Sequence, residues 1–125
     1  MRAIATKEAP AAIGPYSQGM ITGNLVYTSG QIPIDPETGN IAGDTIETQA
    51  EQSLKNVRAV LEAGGATMDS IVKTTCFIAD MADFAAFNGV YAKYIHGAPA
   101  RSCVAVKTLP KNVLVEIEAI AEIVE

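Results

Sequence analysis

The chain has 125 residues, a length that accommodates a single domain around one hydrophobic core. Apolar residues make up 49% of it and charged residues 18%, a balance that is typical of packed globular domains and excludes intrinsic disorder. The 9 Lys and Arg residues against 14 Asp and Glu residues give a net charge of −5, which disfavours general binding to nucleic acids or to anionic membranes.

The N-terminal third of the chain has the pattern of short strands joined by turns. Residues 19–22 and 25–29 form two apolar-rich runs on either side of Gly23 and Asn24. Both residue types tolerate positive φ, so this dipeptide predicts a two-residue hairpin turn. A connection rich in Pro, Asp and Gly then leads to the first helix.

The first helix is predicted over residues 45–63. Asp44 is the expected N-cap, with Glu47 at the spacing of a capping box, and Gly64 with Gly65 is expected to end the helix in a left-handed C-cap. Apolar residues that recur at steps of three and four predict one buried helix face. These residues are Ile46, Ala50, Leu54, Val57 and Leu61.

Three further strands and a second helix complete the predicted elements. Residues 71–79 are rich in β-branched side chains and predict a buried strand. The second helix is predicted over residues 82–95, with its aromatic side chains on one side. Strands at 102–107 and 113–124 follow, joined by a turn at 110–112. The aromatic residues of the second helix are Phe84, Phe87, Tyr91 and Tyr94.

The element order predicts an α+β domain, a two-layer sandwich with both helices on one face of a mixed sheet. In the last strand, apolar residues of one parity face the expected core, while Ile120 and Val124 add apolar area to the other parity. One core does not need both, so we expect the chain to form oligomers through its sheet. The core-facing set is Val115, Ile117, Ala119, Ala121 and Ile123.

The two cysteines, Cys76 and Cys103, are too few for a disulfide framework or a structural zinc site. We expect reduced thiols in a cytoplasmic protein, with Cys76 acting as a small buried hydrophobe. The first residues lack the apolar stretch of a signal peptide, and no run approaches the roughly 18 apolar residues of a membrane span. The carboxylates show no metal-ligand spacing, so we expect no metal.

The segment 99–104 carries the most informative candidate residues. Arg101 and Cys103 share one side of the predicted strand, because side chains alternate along a strand. An Arg guanidinium binds a carboxylate through two parallel hydrogen bonds. On spacing alone, however, a surface ion pair is the more common role for such an Arg. Cys103 would act as a nucleophile only if a neighbouring base or positive charge lowered its pKa.

Glu116 and Glu118 lie on the last predicted strand, opposite its core-facing residues. A partly desolvated carboxylate has a raised pKa, which suits it to act as a general base. The alternative is an exposed, solvated strand face that also includes Glu122. The alternation of Glu residues along the strand, taken alone, favours this alternative.

A loop and a strand end supply the remaining candidates. Tyr16 lies in the Gly- and Pro-containing segment 14–19, where its hydroxyl either reaches a pocket or covers the core. Ser29 and Gly30 end a strand, and a Gly there permits close approach of the backbone to a ligand. Glycine-rich phosphate-binding patterns are absent.

Four segments follow the motifs of one family in order and spacing: AIGPYSQG at 12–19, TSGQIP at 28–33, PARSCV at 99–104 and VEIEAIA at 115–121. Together they resemble the reactive intermediate deaminase (RidA or YjgF-type) family over one domain, essentially residues 1–125. The resemblance implies a chorismate-mutase-like fold and a homotrimer whose sheets close into a central barrel. It places the pockets at the three subunit interfaces.

The resemblance also implies an activity, the hydrolysis of 2-iminobutanoate and 2-iminopropanoate to 2-oxo acids and ammonia without a cofactor. Such imines arise from the enamines that pyridoxal-phosphate-dependent Ser/Thr dehydratases release. By position, Arg101 would bind the substrate carboxylate and Glu116 would activate water, and Cys103 joins them through its side chain or its backbone. Tyr16, Ser29, Gly30 and Asn88 would line the substrate pocket.

Two departures and two alternatives accompany this resemblance. The stretch 94–98 is shorter than in many members, and Ile95 stands where Phe is frequent, which bears on substrate size. One alternative function is a regulatory or ligand-sensing module without turnover, as in purine regulation or translation inhibition. The other is a ribonuclease, which the net charge and the single His, His96, disfavour.

Overall fold

The computed structural model describes all 125 residues and contains two helices packed on one face of a six-stranded sheet. The elements are β1 Arg2–Ile4, β2 Gly19–Thr22, β3 Leu25–Thr28, α1 Ile46–Ala63, β4 Ala66–Ile78, α2 Phe84–Tyr94, β5 Ala100–Ala105 and β6 Val115–Ile123. The strand order is β1-β2-β3-β6-β4-β5, and only the β4–β5 pair is parallel. The predicted α+β fold with a mixed sheet is confirmed.

Helix α1 packs its apolar face against the sheet, as its periodicity predicted. Its N-cap is Thr45, whose hydroxyl accepts a hydrogen bond from the Thr48 N–H at 3.2 Å. The Asp44 cap and its capping box were therefore wrong, because Thr45 has the extended backbone of an N-cap and its carbonyl accepts the first helical bond, from Gln49. At the other end, Gly65 has a φ of +91°, as the predicted left-handed C-cap requires.

The β2–β3 hairpin is present, but its turn differs in detail from the prediction. Gly23 has a φ of +57°, whereas Asn24 is not among the residues with positive φ. Positive φ at the first central position alone is the pattern of a type II′ turn, which favours Gly at that position.

Two strand regions extend beyond the sequence prediction. Strand β1 was not predicted, and it exists because Arg2 and Ile4 pair with β2. Strand β4 begins at Ala66, and its pairing with β6 is irregular as far as Lys73, where the register shifts. The other predicted elements are present with ends that shift by one or two residues. Neither helix combines the length and the apolarity needed to cross a membrane.

Strand β6 divides its side chains between the two faces of the sheet as predicted. Val115, Ile117, Ala119 and Ala121 are buried on the face that the helices cover. The opposite face, here called the open face, carries the other parity of β6: Glu116, Glu118, Ile120 and Glu122. The exposed Tyr27 lies opposite Ile120 on this face. Oligomerisation through the open face stays a prediction.

Candidate active site

Arg101 lies on the edge strand β5, and its side chain lies on the helix-covered face. Its register partner on β4 is the fully buried Thr74, and register partners share a face. Asn88 Oδ1 in α2 accepts a hydrogen bond from Arg101 Nη1 at 2.7 Å. The guanidinium carbon lies 4.9 Å from the ring centroid of Tyr91 and 5.5 Å from that of Phe84. Helix α2 thus holds this cation with one amide and two aromatic rings.

Arg101 has no carboxylate partner within the chain. The two ion pairs present, Lys55–Glu51 and His96–Asp69, lie elsewhere. Within the chain, Arg101 therefore does not form the surface ion pair that its spacing alone favours. Since one side-chain amide accepts only one of its hydrogen bonds, the other guanidinium N–H groups remain available to an anion.

Cys103 lies two residues after Arg101, half-buried on the same face. Burial raises the pKa of its thiol, and the positive charge of Arg101 only partly opposes that rise. Its register partner is the buried Cys76, whose pKa burial raises to about 12. Both thiols are consequently protonated at neutral pH, a state that does not suit a nucleophile.

Glu116 is the second residue of β6 and lies on the open face, with its carboxylate against the backbone of Gly30. A Cβ atom at position 30 would collide with Glu116 Oε2, so only Gly fits there without moving the carboxylate. Burial, and then the negative charge of Glu118, raise the pKa of Glu116. The opposite residue on β4, Phe77, adds an apolar neighbour. Glu116 is half-buried, so it does not belong to a fully solvated face.

The loop that contains Tyr16 lies next to Gly30 and Ser29. The Ser29 hydroxyl donates to the Ser17 carbonyl, and the Ser29 N–H donates to the Gln18 carbonyl at 2.9 Å. Tyr16 is 52% exposed and lines a small cavity together with Gly30. Tyr16, Ser29, Gly30 and Glu116 therefore form one group, which we call the base half-site.

Asn88, Arg101 and Cys103 form a second group, which we call the cation half-site. The two half-sites lie on opposite faces of the sheet, because Arg101 shares a face with Thr74 and Glu116 lies on the open face. No hydrogen bond or ion pair joins Arg101 to Glu116. One chain thus gathers all seven predicted site residues into two separate groups.

Three residues around Arg101 are not among the predicted site residues: Phe84, Tyr91 and Thr74. The sequence predicts only that Phe84 and Tyr91 lie on one side of a helix. Phe84, Asn88 and Tyr91 recur at steps of four and three, so the spacing does place all three on one helix face. No group of three or more His, Cys, Asp or Glu side chains is arranged to hold a metal ion.

Comparison with known proteins identifies the family. A family model described as endoribonuclease L-PSP matches residues 6–123. The chain belongs to this family. It is the YjgF or RidA family, so the resemblance found in the sequence motifs is confirmed.

Individual members of the RidA family that resemble this chain carry different descriptions. A 2-iminobutanoate/2-iminopropanoate deaminase from Salmonella typhimurium is 56% identical over 124 residues, covering 96% of each chain. A candidate regulator from Lactococcus lactis, AldR, is 54% identical over 124 residues, covering 98% of each chain. The crystal structure of Escherichia coli TdcF with bound serine has a TM-score of 0.92 at 48% identity, covering 98% of each chain.

Proposed function

We propose that this protein hydrolyses small 2-imino acids, such as 2-iminobutanoate, to 2-oxo acids and ammonia. The observation that carries the proposal is Arg101, a cation without a carboxylate partner that α2 holds in place. Such a guanidinium is ready to bind the carboxylate that every 2-imino acid carries. Glu116, with its raised pKa, supplies the second group that the reaction needs.

The reaction requires a water molecule that attacks C2 of the protonated imine. Glu116 accepts a proton from this water as its oxygen bonds to C2 and the C=N electron pair moves to nitrogen. Glu116 then returns the proton to nitrogen, the C–N bond breaks and ammonia leaves. The Glu116 carboxylate takes up the hydroxyl proton as C=O forms, and it passes this proton to the released ammonia or to solvent. A raised pKa brings the carboxyl group closer to the pH at which it exchanges protons efficiently.

The complete site would contain residues from two copies of the chain. One copy would contribute the cation half-site and its neighbour the base half-site, because these lie on opposite faces of one sheet. A homotrimer with three equivalent interfaces satisfies this requirement, since a cyclic arrangement brings unlike surfaces together. Light scattering should then give three times the 13.1 kDa chain mass. A single chain mass would contradict the shared site.

The relatives support the substrate class. The Salmonella relative is named for 2-iminobutanoate and 2-iminopropanoate. The TdcF structure holds serine, an amino acid with a carboxylate and a nitrogen on the same carbon. In the proposed site, the Tyr16 hydroxyl and the backbone of Ser29, Gly30 and Cys103 line the pocket, while Asn88 steadies Arg101.

A mixing experiment tests the shared site. Arg101→Ala and Glu116→Gln chains, each inactive alone, are refolded together in equal amounts. Random assembly gives about a quarter of the sites an intact Arg101 and an intact Glu116 from different chains, so about a quarter of wild-type activity should return. The assay follows release of 2-oxobutanoate from imine that a threonine dehydratase generates in situ. No recovery in mixed trimers would show that both residues must come from one chain.

A regulatory module that binds a ligand without turnover is the second candidate. The Lactococcus relative, described as a candidate regulator, favours it. Glu116→Gln separates the two functions, because an amide cannot accept the water proton but leaves Arg101 intact. An enzyme should keep its affinity for 2-oxobutanoate and lose about 10²- to 10⁴-fold in turnover. A wild-type protein that binds 2-oxobutanoate yet does not accelerate imine loss would favour the regulator.

A further inference from the structure

Tyr91 connects Arg101 to the strand next to it. The Tyr91 ring lies under the guanidinium, with 4.9 Å between the ring centroid and the guanidinium carbon. The Tyr91 hydroxyl forms a 2.7 Å hydrogen bond with the Thr74 hydroxyl. Thr74 is in turn the register partner of Arg101 across the β4–β5 pair. Arg101, Tyr91 and Thr74 therefore form a closed set of contacts between two strands and a helix.

These contacts restrict the conformational freedom of the Arg101 side chain on the edge strand. An Arg side chain has many rotamers, and Arg101 lacks the carboxylate that usually restrains one. Asn88 fixes a single N–H group, which leaves rotation of the guanidinium plane about that bond. An aromatic face attracts the cation without occupying the N–H groups in the guanidinium plane. The ring thus restrains Arg101 and leaves its donors available.

The hydroxyl pair fixes the ring in its turn. Thr74 is fully buried, and a buried hydroxyl without a partner would be unfavourable. Tyr91 supplies that partner and is itself held by it, while its ring lies beside the Phe87 ring of the core, with the centroids 5.7 Å apart and the planes tilted by 49°. The hydrogen bond from Thr74 therefore restrains the Tyr91 ring, and the ring in turn restrains the Arg101 guanidinium.

We propose that Tyr91 and Thr74 are positioning residues that orient Arg101 for the substrate carboxylate. The inference rests on the proposed function, since it assigns Arg101 the carboxylate. Neither residue touches the reacting atoms, so both act through Arg101. Loss of either hydroxyl should weaken carboxylate binding and raise KM, with little change in kcat, because Arg101 holds the carboxylate equally before and during the reaction.

Three conservative variants test this role. Tyr91→Phe keeps the ring and removes its hydroxyl, and Thr74→Val removes the other hydroxyl at almost the same volume. Tyr94→Phe is the matched control: Tyr94 lies on the same helix, donates a 2.8 Å hydrogen bond to Glu51 and has its own arginine, Arg58, over its ring. The measurements are calorimetric affinity for 2-oxobutanoate, kcat and KM, and thermal melting.

Tyr91→Phe and Thr74→Val should each weaken 2-oxobutanoate binding by about 3- to 10-fold, and the double variant should be no weaker than either single one. Both variants remove the Tyr91–Thr74 hydrogen bond, which is why their effects on binding should not add; Thr74→Val also removes the weak 3.9 Å contact from the Cys76 thiol, which lies farther from Arg101. Tyr94→Phe should leave the affinity unchanged. Lower melting temperatures with wild-type affinity and KM would overturn the proposal, because they would reduce Tyr91 and Thr74 to packing residues.

The Arg side-chain NMR spectrum separates this proposal from the proposed function. The chain has three arginines, Arg2, Arg58 and Arg101, so an Arg101→Lys spectrum assigns the Nε–H signal of Arg101. The Tyr91 ring should shift that signal, and both hydroxyl variants should move it. A wild-type protein that neither binds 2-oxobutanoate nor hydrolyses imines would refute the proposed function alone. An Arg101 signal unchanged in both variants would refute the positioning role in either case.

Discussion

Replacing Gly30 by alanine should abolish most of the proposed activity by displacing the Glu116 carboxylate, although no side chain of the proposed mechanism is itself replaced. The three atoms nearest to a Cβ at position 30 all belong to one side chain: they are Oε2, Cδ and Cγ of Glu116. A carboxylate at the end of a flexible side chain can move away, so the fold should survive. The Glu116 carboxylate, which is the proposed general base, should however leave its position.

The size of the effect follows from that displacement. The Cβ would overlap the Glu116 carboxylate deeply, so the carboxylate must move by about 1 Å or more to restore van der Waals contact. A displacement of that size costs about 10²-fold in rate when the geometry of a reacting group is lost. Binding of 2-oxobutanoate to Arg101 of the other half-site should change much less. Gly30→Ala is therefore expected to lower kcat and to leave the product affinity close to that of the wild type.

Gly89→Ala is the matched control for this variant. Gly89 lies inside α2 with negative φ, and a Cβ there would meet nothing within 4 Å. Alanine in a helix interior is more favourable than glycine by about 1 kcal/mol, so this variant should melt at or above the wild-type temperature and keep its activity. The assay is kcat for imine generated in situ, alongside thermal melting. A Gly30→Ala variant with wild-type kcat would refute the proposed role of Glu116 as the general base.

Three further predictions concern the groups around the reacting atoms. Arg101→Ala should lower kcat/KM by about 10²-fold or more. Arg101→Lys should also lose most activity, because an ammonium cannot form the planar two-bond contact with a carboxylate. An unchanged melting temperature and oligomer mass in both variants would exclude a structural cause. Cys103→Ser should retain most activity, since burial keeps the thiol protonated, and a trapped thiol adduct in mass spectrometry would contradict this. Activity should fall as the pH decreases through the raised pKa of Glu116, and Glu118→Gln should shift that acidic limb of the kcat/KM profile to lower pH by removing a negative charge.

Most of the fold could be predicted because its long elements have clear periodicities. Helix α1 and strand β6 each combine a regular apolar repeat with a defined end, and both were placed within two residues. Strand β1 could not be predicted because it has only three residues, too few for an alternation to emerge, and pairing with β2 defines it. The early part of β4 contains the polar residues Asp69 and Ser70 and an irregular register, which interrupt the strand pattern.

The face on which one candidate residue lies could be predicted from the sequence, but the arrangement of the candidate residues could not. The alternation on β6 correctly assigned Glu116 to the face opposite Val115 and Ile117. No such alternation predicts the face on which Arg101 lies, because the edge strand β5 has exposed and half-buried residues but no apolar face. Its face depends on its register with Thr74 across a helical crossover, which no local pattern encodes. The motifs supplied the residues, and only the structure separated them into two half-sites.

The separation of the half-sites has an electrostatic consequence for the proposed reaction. If Arg101 and Glu116 were neighbours in one chain, they would neutralise each other, and the cation would lower the pKa of the carboxyl group. Instead Arg101 lacks a carboxylate partner and the pKa of Glu116 is raised. A protonated 2-imino acid carries the complementary charges, a carboxylate for Arg101 and an iminium for Glu116. In the proposed shared site, assembly would bring the Arg101 of one chain towards the Glu116 of its neighbour, and a substrate bound between them would pair its carboxylate with Arg101 and its iminium with Glu116.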